Sequence, residues 1–332
     1  MKKILTLGEI MLRLSTIEDS RLEESTRLAA HYGGGEANVA ISLANFGHQA
    51  LFASKIPENA IGKGAKHHLM KYGVETSHLL MGGERLGTYC LENGTGIRSA
   101  SVIYDRSHSS FSKMDELEWD LDQLFENVHL FHISGITPAL SLKWQDLVLL
   151  LIKEAKKRQI IVSLDINYRE KLWSMNDCRS YLQRIIQYVD WCSAARLDAL
   201  NFFEIPEKED ADLNYYYHEI RQRYPNIKVL YSTSREVITP QHHRLQGNLL
   251  IEESLFQSKV IDIQNIVDRV GGGDAFAAGI LHGLLTKMTP QKTIDFATTA
   301  SALKHSIHGD CNQFSSEEVE QVLNERNGDV KR

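Results

Sequence analysis

Cysteine is scarce in this chain. Cys90, Cys178, Cys192 and Cys311 are the only four in 332 residues, and no Cys-x-x-Cys joins any of them. That scatter excludes a disulfide framework or a zinc ribbon and suits buried thiols in a reducing compartment. Fourteen histidines include His67-His68 and His242-His243 but no His-Glu-x-x-His, so the pairs read as solvated side chains. There is no dense basic stripe, and a net charge of −6 argues against a nucleic-acid partner. Long apolar runs are missing too: nothing approaches the roughly 18 uncharged residues that span a bilayer. The apolar run 4–14 is broken by Glu9 and Arg13, too early for a signal segment. A soluble, cytoplasmic protein with no membrane partner is the expectation. No glycine run leads into Lys-Ser/Thr, which excludes a P-loop.

The chain does have glycine-led helix starts. Asp268-Arg269-Val270-Gly271-Gly272-Gly273-Asp274 runs into Ala275-Phe276-Ala277-Ala278-Gly279, with one acid inside the first helical turn. Helix N-termini present unpaired N–H groups and a positive dipole end, and glycine lets an anion approach the backbone. A carboxylate beside such a hole can take a proton while a phosphoryl group is held. Taken alone, such a start is equally an ordinary tight turn. A second cluster, Gly33-Gly34-Gly35-Glu36-Ala37-Asn38, opens an amphipathic helix stopped by Gly47. It lacks the later glycine and the preceding strand of a dinucleotide fingerprint. It would instead offer bare backbone and the Asn38 amide to a ligand hydroxyl.

A hydrophobic content of 42% in 332 residues supports one large core, or a core with a small appendage. Strand patterns at 4–7, 50–54, 128–133, 160–164 and 227–231 alternate with helical periods at 36–46, 60–71, 142–158 and 178–189. Helices at 270–285, 290–306 and 315–323 close the chain, the last behind a Ser-Ser-Glu-Glu cap signal. This order predicts an α/β fold with a mainly parallel sheet covered on both faces, and ligands beyond the C-terminal strand ends. The β-like runs 87–91 and 99–106, joined by Asn93-Gly94-Thr95-Gly96, break the alternation as a hairpin. Residues near 10–32 could supply its partner strands; an ordinary surface hairpin is the alternative.

Together the two glycine clusters resemble the ribokinase-like carbohydrate kinases, the PfkB family, over nearly the whole chain. Asn201-Phe202-Phe203-Glu204 is similar to that family's Asn-x-x-Glu. The resemblance implies a ribokinase-like core (1–9, 34–85 and 112–332) and a small β lid over the sugar (10–33 and 86–111). It implies ATP and magnesium as cofactors, with a sugar acid and ATP as small-molecule partners and a homo-oligomer formed through lid strands. Gly34, Gly35 and Asn38 would meet the sugar; Gly271, Gly272 and Gly273 would form the anion hole, and Asp274 would be the base. Asn201 and Glu204 would organise magnesium through water. Asp268 would be the nearest ligand for a monovalent cation such as potassium.

Side chains on the lid and the loop Asp165-Ile166-Asn167-Tyr168-Arg169 look like those of 2-keto-3-deoxygluconate kinases. Tyr89, Tyr104, Arg106 and Arg169 would embrace an acidic sugar, since an arginine fork matches a carboxylate. Surface ion pairing is the competing account of each arginine. Three departures stand out. Arg13 occupies a place where relatives often carry Asp. Arg269 stands at a position more often small. Ser234-Arg235-Glu236-Val237 replaces a Gly-rich nucleotide turn, so Ser232, Thr233 and Arg235 would have to contact phosphates. The expected reaction is in-line phosphoryl transfer to the 6-hydroxyl of 2-keto-3-deoxygluconate. A fructokinase-like or nucleoside kinase, or a sugar-binding regulator without catalysis, are the alternatives.

Overall fold

The computed structural model describes residues 2–17 and 20–324. Met1, Glu18, Asp19 and 325–332, which fall in the expected core and lid segments, lie outside the described residues. The strands in chain order are β1 (Lys3–Leu7), β2 (Met11–Thr16), β3 (Leu28–Gly33), β4 (Gln49–Ile56), β5 (Leu79–Met81), β6 (Gly87–Glu92) and β7 (Ser101–Asp105). Then come β8 (Leu130–Ser134), β9 (Ile161–Asp165), β10 (Trp191–Ser193), β11 (Val229–Thr239), β12 (His242–Ile251), β13 (Ser254–Gln257) and β14 (Ile261–Ile263).

The main sheet runs β13-β12-β11-β10-β9-β8-β1-β4-β5, with β14 paired to β12. From β11 to β5 every pairing is parallel; only β12, β13 and β14 add antiparallel strands at one edge. Alternate side chains face opposite ways along a strand, so each buried strand feeds two cores. Leu5, Leu7, Phe131, Ile133, Val162 and Leu164 pack on one face with Trp144, Leu147, Leu151 and Ile152 of helix Leu142–Lys157. Ile4, Phe52, Leu130 and Tyr231 pack on the other against helices Gly35–Asn45, Gly272–Leu285 and Pro290–Lys304. Local capping places the helices. Asn59 Oδ1 accepts from the N–H groups of Ile61 and Gly62, both at 3.0 Å, and opens Ala60–Lys71. Ser315 and Glu318 exchange the expected capping contacts at the start of Ser316–Asn324.

A separate sheet, ordered β3-β2-β6-β7, projects from this core. Residues near 10–32 supply two of its strands, and Tyr89 of β6 lies opposite Tyr104 of β7.

Three expectations need correction. The strand expected at 227–231 continues to Thr239 and folds back on β12, because its polar second half satisfies its backbone by pairing rather than in a loop. Helix Leu213–Arg223, capped by Asp212, was not anticipated. His243 is not solvated: it is fully buried in β12, and burial holds its imidazole down at about 4 and so neutral.

Candidate active site

Two helix N-termini converge on one carboxylate. Gly271 caps helix Gly272–Leu285 with φ 81°, a left-handed conformation, and a Cβ there would collide with the carbonyl of Asp310. Only glycine satisfies both demands. Gly272 and Gly273 follow, and Asp274 occupies the third helical position. First-turn N–H groups have no intrahelical acceptor. That of Gly272 reaches Arg269 O at 3.4 Å, leaving those of Gly273 and Asp274 without a main-chain acceptor among the described residues. Asp274 Oδ2 accepts from Asn38 Nδ2 at 2.7 Å, and Asn38 belongs to the first turns of helix Gly35–Asn45. A Cβ on Gly35 would lie 3.6 Å from Asp274 Oδ1 and 4.0 Å from Asn167 Nδ2. The glycine therefore leaves bare backbone between those groups.

Asp274 keeps some accessible surface at the head of its helix. Burial pushes its carboxyl up to about 7; the Asn38 bond opposes this, while Asp165, Glu36 and Asp310 add to it. An acid in that range can exchange a proton near neutral pH. Glu36 is itself buried, with Oε1 accepting from Ser134 N at 3.0 Å and Ser134 Oγ at 2.5 Å. At the end of β9, burial also raises Asp165, against the pull of Arg169. Asn167 takes φ 41°, a conformation that Asn tolerates better than most residues. It is a cleft residue that the sequence pattern did not single out. Arg169 is exposed, touches only Tyr168 O at 3.3 Å, and forms no ion pair among the described residues.

The small sheet places its expected contacts differently. Tyr89 is buried, and its hydroxyl donates to the Asp310 carboxylate instead of facing open space. Tyr104 is exposed, its ring 5.5 Å from that of Tyr89. Arg106 is already paired: Nε and Nη2 meet Glu9 Oε2 at 2.9 and 2.5 Å, and Ser109 donates to the other Glu9 oxygen. Arg106 is thus explained without an acidic ligand. Gly34 packs so closely on Glu9 that a Cβ would strike the Glu9 carbonyl. Arg13 is not a ligand group exposed to the cleft either. It is 1% exposed and bonded to Asp268 and Asp310, residues more than 250 positions away that no local motif links to it.

On the opposite side of the Gly-rich turn, Ser232, Thr233 and Arg235 lie within β11. Ser232 is buried with Oγ 2.7 Å from the Tyr217 hydroxyl, so it supports helix Leu213–Arg223. Arg235 keeps exposed surface, but partial covering of its guanidinium, and then the like charge of Arg269, lower its affinity for a proton. Neither arginine has an ion pair among the described residues, which leaves two converging cations for an anion. Asn201 ends the short helix Arg196–Asn201 rather than following a strand directly. Its carbonyl accepts from Arg179 Nε at 2.8 Å, and Glu204 takes Arg179 Nη1 at 3.2 Å. Glu204 has φ 54°, which an unconstrained Glu would avoid. No group of three or more His, Cys, Asp or Glu among the described residues could hold a metal ion. Magnesium would have to draw on phosphate oxygens and water, as it commonly does. Of two concavities, of about 360 and 570 Å³, neither is lined by Asp274; the larger one is bordered by Ile307, Gly309 and Asp310, behind Gly271. No helix among the described residues is long and apolar enough to cross a membrane.

Comparison with known proteins accounts for this arrangement. The family model "pfkB family carbohydrate kinase" matches residues 1–317. A 2-dehydro-3-deoxygalactonokinase of Haloferax volcanii is 30% identical over 99% of this chain and 98% of its own length. The crystal structure of a PfkB family carbohydrate kinase from Listeria grayi has a TM-score of 0.94 at 44% identity, covering 98% of this chain and 100% of that one. That of 2-dehydro-3-deoxygluconokinase from Thermotoga maritima has a TM-score of 0.94 at 35% identity, covering 98% of both chains. With its parallel sheet, its separate four-stranded sheet and its two glycine-led helices, the chain belongs to the pfkB family of carbohydrate kinases.

Proposed function

We propose that the protein transfers the γ-phosphoryl group of ATP to the 6-hydroxyl of 2-keto-3-deoxygluconate. The observation that carries this reading is Asp274: a deep carboxylate held near neutrality at the head of a helix, steadied by Asn38 and facing bare glycine. Asp274 takes the proton of the attacking hydroxyl, and Asn38 fixes which of its oxygens is free to do so. In the Gly271–Gly273 turn the unbonded N–H groups of Gly273 and Asp274 hold the transferring phosphoryl oxygens, while Arg235 and Arg269 neutralise the remaining phosphate charge. Magnesium, when bound with ATP, would neutralise phosphate charge, and Asn201 and Glu204 are the residues that would hold its water shell. The small sheet would close over the sugar as a lid. Its edge strand β7, with Ile103 and Tyr104 exposed, is where a second copy would pair.

The acidic substrate draws support from two directions. Relatives with that specificity in their names match this chain end to end. Arg169 also stands at the loop beside Asn167 with no ion pair among the described residues. The pairing of Arg106 with Glu9 favours a second reading, a neutral keto sugar, because it removes one of the two arginines expected to meet a carboxylate. ADP release measured against 2-keto-3-deoxygluconate, 2-keto-3-deoxygalactonate, fructose and ribose separates these readings. Preference for fructose or ribose would overturn the acid-sugar assignment.

Arg169→Ala should lower kcat/KM for 2-keto-3-deoxygluconate at least about tenfold, equivalent to ~1.4 kcal/mol. The variant should change fructose turnover far less, since fructose has no carboxylate to lose. Arg106→Ala should penalise both sugars alike, because it acts through Glu9. Equal losses from Arg169→Ala on both substrates would reduce that residue to a loop support.

Glu204→Gln should raise the magnesium concentration for half-maximal rate by roughly 10-fold or more, as loss of an outer carboxylate around an ion commonly does. Arg179→Ala breaks the same ion pair but keeps the carboxylate, and should leave the magnesium titration nearly unchanged. Matching titrations for the two variants would assign Glu204 to the ion pair alone.

A further inference from the structure

Beside the anion hole lies a buried charge cluster that proton transfer does not use. Arg13 has every nitrogen engaged: Nη2 to Asp268 Oδ2 at 2.7 Å, Nη1 to Asp310 Oδ1 at 2.7 Å, and Nε to Ser15 Oγ at 2.6 Å. Asp268 takes two further donors, Val270 N at 3.0 Å and Gly309 N at 3.1 Å, so both its oxygens are engaged. A second cation stands behind them. Lys304 is fully buried, and its Nζ donates to the main-chain carbonyls of Asp268 at 3.1 Å and Ile307 at 3.4 Å. Asp268 and Asp310 are each covered to 3% side-chain exposure or less. Asp310 in turn packs on Gly271, the residue that opens the catalytic helix.

This is the place where the family resemblance puts a monovalent cation, and the residues do not fit one. A potassium ion would need the Asp268 carboxylate and nearby main-chain carbonyls. The carboxylate is held by a guanidinium, and two of the carbonyls are held by an ammonium. The charges also balance already: two buried carboxylates face two buried cations. An added monovalent ion would leave one net charge among side chains buried to 3% exposure or less, which is unfavourable. We propose that Arg13 and Lys304 are covalently tethered replacements for that ion, so that the enzyme supplies its own positive charge beside the anion hole. Neither its fold nor its turnover then depends on potassium. Because Arg13 sits on β2 of the small sheet, the same charge ties that sheet to the phosphoryl site.

The melting temperature of the full chain, with and without ATP and magnesium chloride, should be measured in potassium, sodium and choline chloride at matched ionic strength. The melting series needs no acceptor sugar, and the rates are taken on whichever sugar turns over fastest, so a wrong substrate assignment cannot disturb the result. Equal melting in all three salts, and rates on the preferred sugar that agree across them, are expected. Stabilisation or activation specific to potassium would overturn the proposal. In Arg13→Ala the vacated space should admit an ion. Its rate in choline chloride should fall at least about tenfold, the scale of one lost charge-assisted hydrogen bond, and recover in part with potassium. A folded Arg13→Ala with parental rate in choline chloride would also overturn it. Lys304→Met provides the same comparison from the second cation, and the parental salt series decides the question if either variant does not fold.

Discussion

Asp274→Asn is expected to lower turnover by roughly 10²–10⁴-fold while leaving sugar affinity close to that of the parent, the usual loss when a general base is removed. The amide preserves the shape of the side chain and can still accept from Asn38, so the cleft floor is unchanged. Only the capacity to take a proton disappears. A steady-state rate within about threefold of the parent would show that another group does this work.

The same substitution has an unusual consequence for stability. Folding raises the Asp274 carboxyl from 3.8 to about 7, chiefly by burial. The folded chain therefore holds that proton more tightly than the unfolded chain. The stabilisation this provides is complete below 3.8 and is lost as the pH rises through about 7. At pH above 7 the parent keeps a buried carboxylate that costs at most about 4 kcal/mol, and Asn removes it. The variant should accordingly melt above the parent at alkaline pH, with the gap closing in acid. In the parent, kcat/KM should climb with pH through a limb near 7, because the base must be ionised to act. A flat profile across that range would contradict the assignment, as would an Asn variant less stable than the parent at alkaline pH.

What could be read from sequence followed the range of the interactions. Both glycine-led helix starts are local: a left-handed Gly271, bare first-turn amides and an acid three residues on depend on neighbours in the chain. Strands and helices of the parallel sheet were legible for the same reason, since hydrophobic period reports which face is buried. Long-range pairing was not. Glu9 and Arg106 are 97 residues apart, and nothing in either neighbourhood announces that they pair. Arg13 looked like a departure from the family because its partners lie at the far end of the chain, Asp310 being 297 residues away. β11 was cut short at residue 231 because its continuation, Ser232-Thr233-Ser234-Arg235-Glu236, carries no apolar alternation. Its backbone is satisfied by β12, a partner that the local pattern does not reveal. Tyr89 illustrates the limit most clearly. Its position on the hairpin was legible, but its hydroxyl points to Asp310 rather than to a ligand.

The largest expected loss of stability comes from Asp310→Ala. Asp310 is 2% exposed, accepts from Arg13 on β2 and from Tyr89 on β6, and packs its backbone on Gly271. It therefore joins two strands of the small sheet to the Gly271–Gly273 turn. Removing it leaves Arg13 with Asp268 as its one paired carboxylate among the described residues and takes away the acceptor of the buried Tyr89 hydroxyl. Breaking a buried ion pair from one side typically costs about 3–5 kcal/mol. At roughly 2–4 °C per kcal/mol for a large domain, the melting temperature should drop by about 10 °C. Asp146→Ala is the matched control, since Asp146 also accepts from an arginine, Arg184, but the two side chains are 72% and 44% exposed. Solvent screening limits such a pair to about 1 kcal/mol, and its loss should barely move the melt. The two variants remove the same chemical group, so the difference between them isolates burial. Equal shifts would mean that the Arg13 cluster contributes no more than a surface contact, and that the small sheet is held to the phosphoryl site by packing alone.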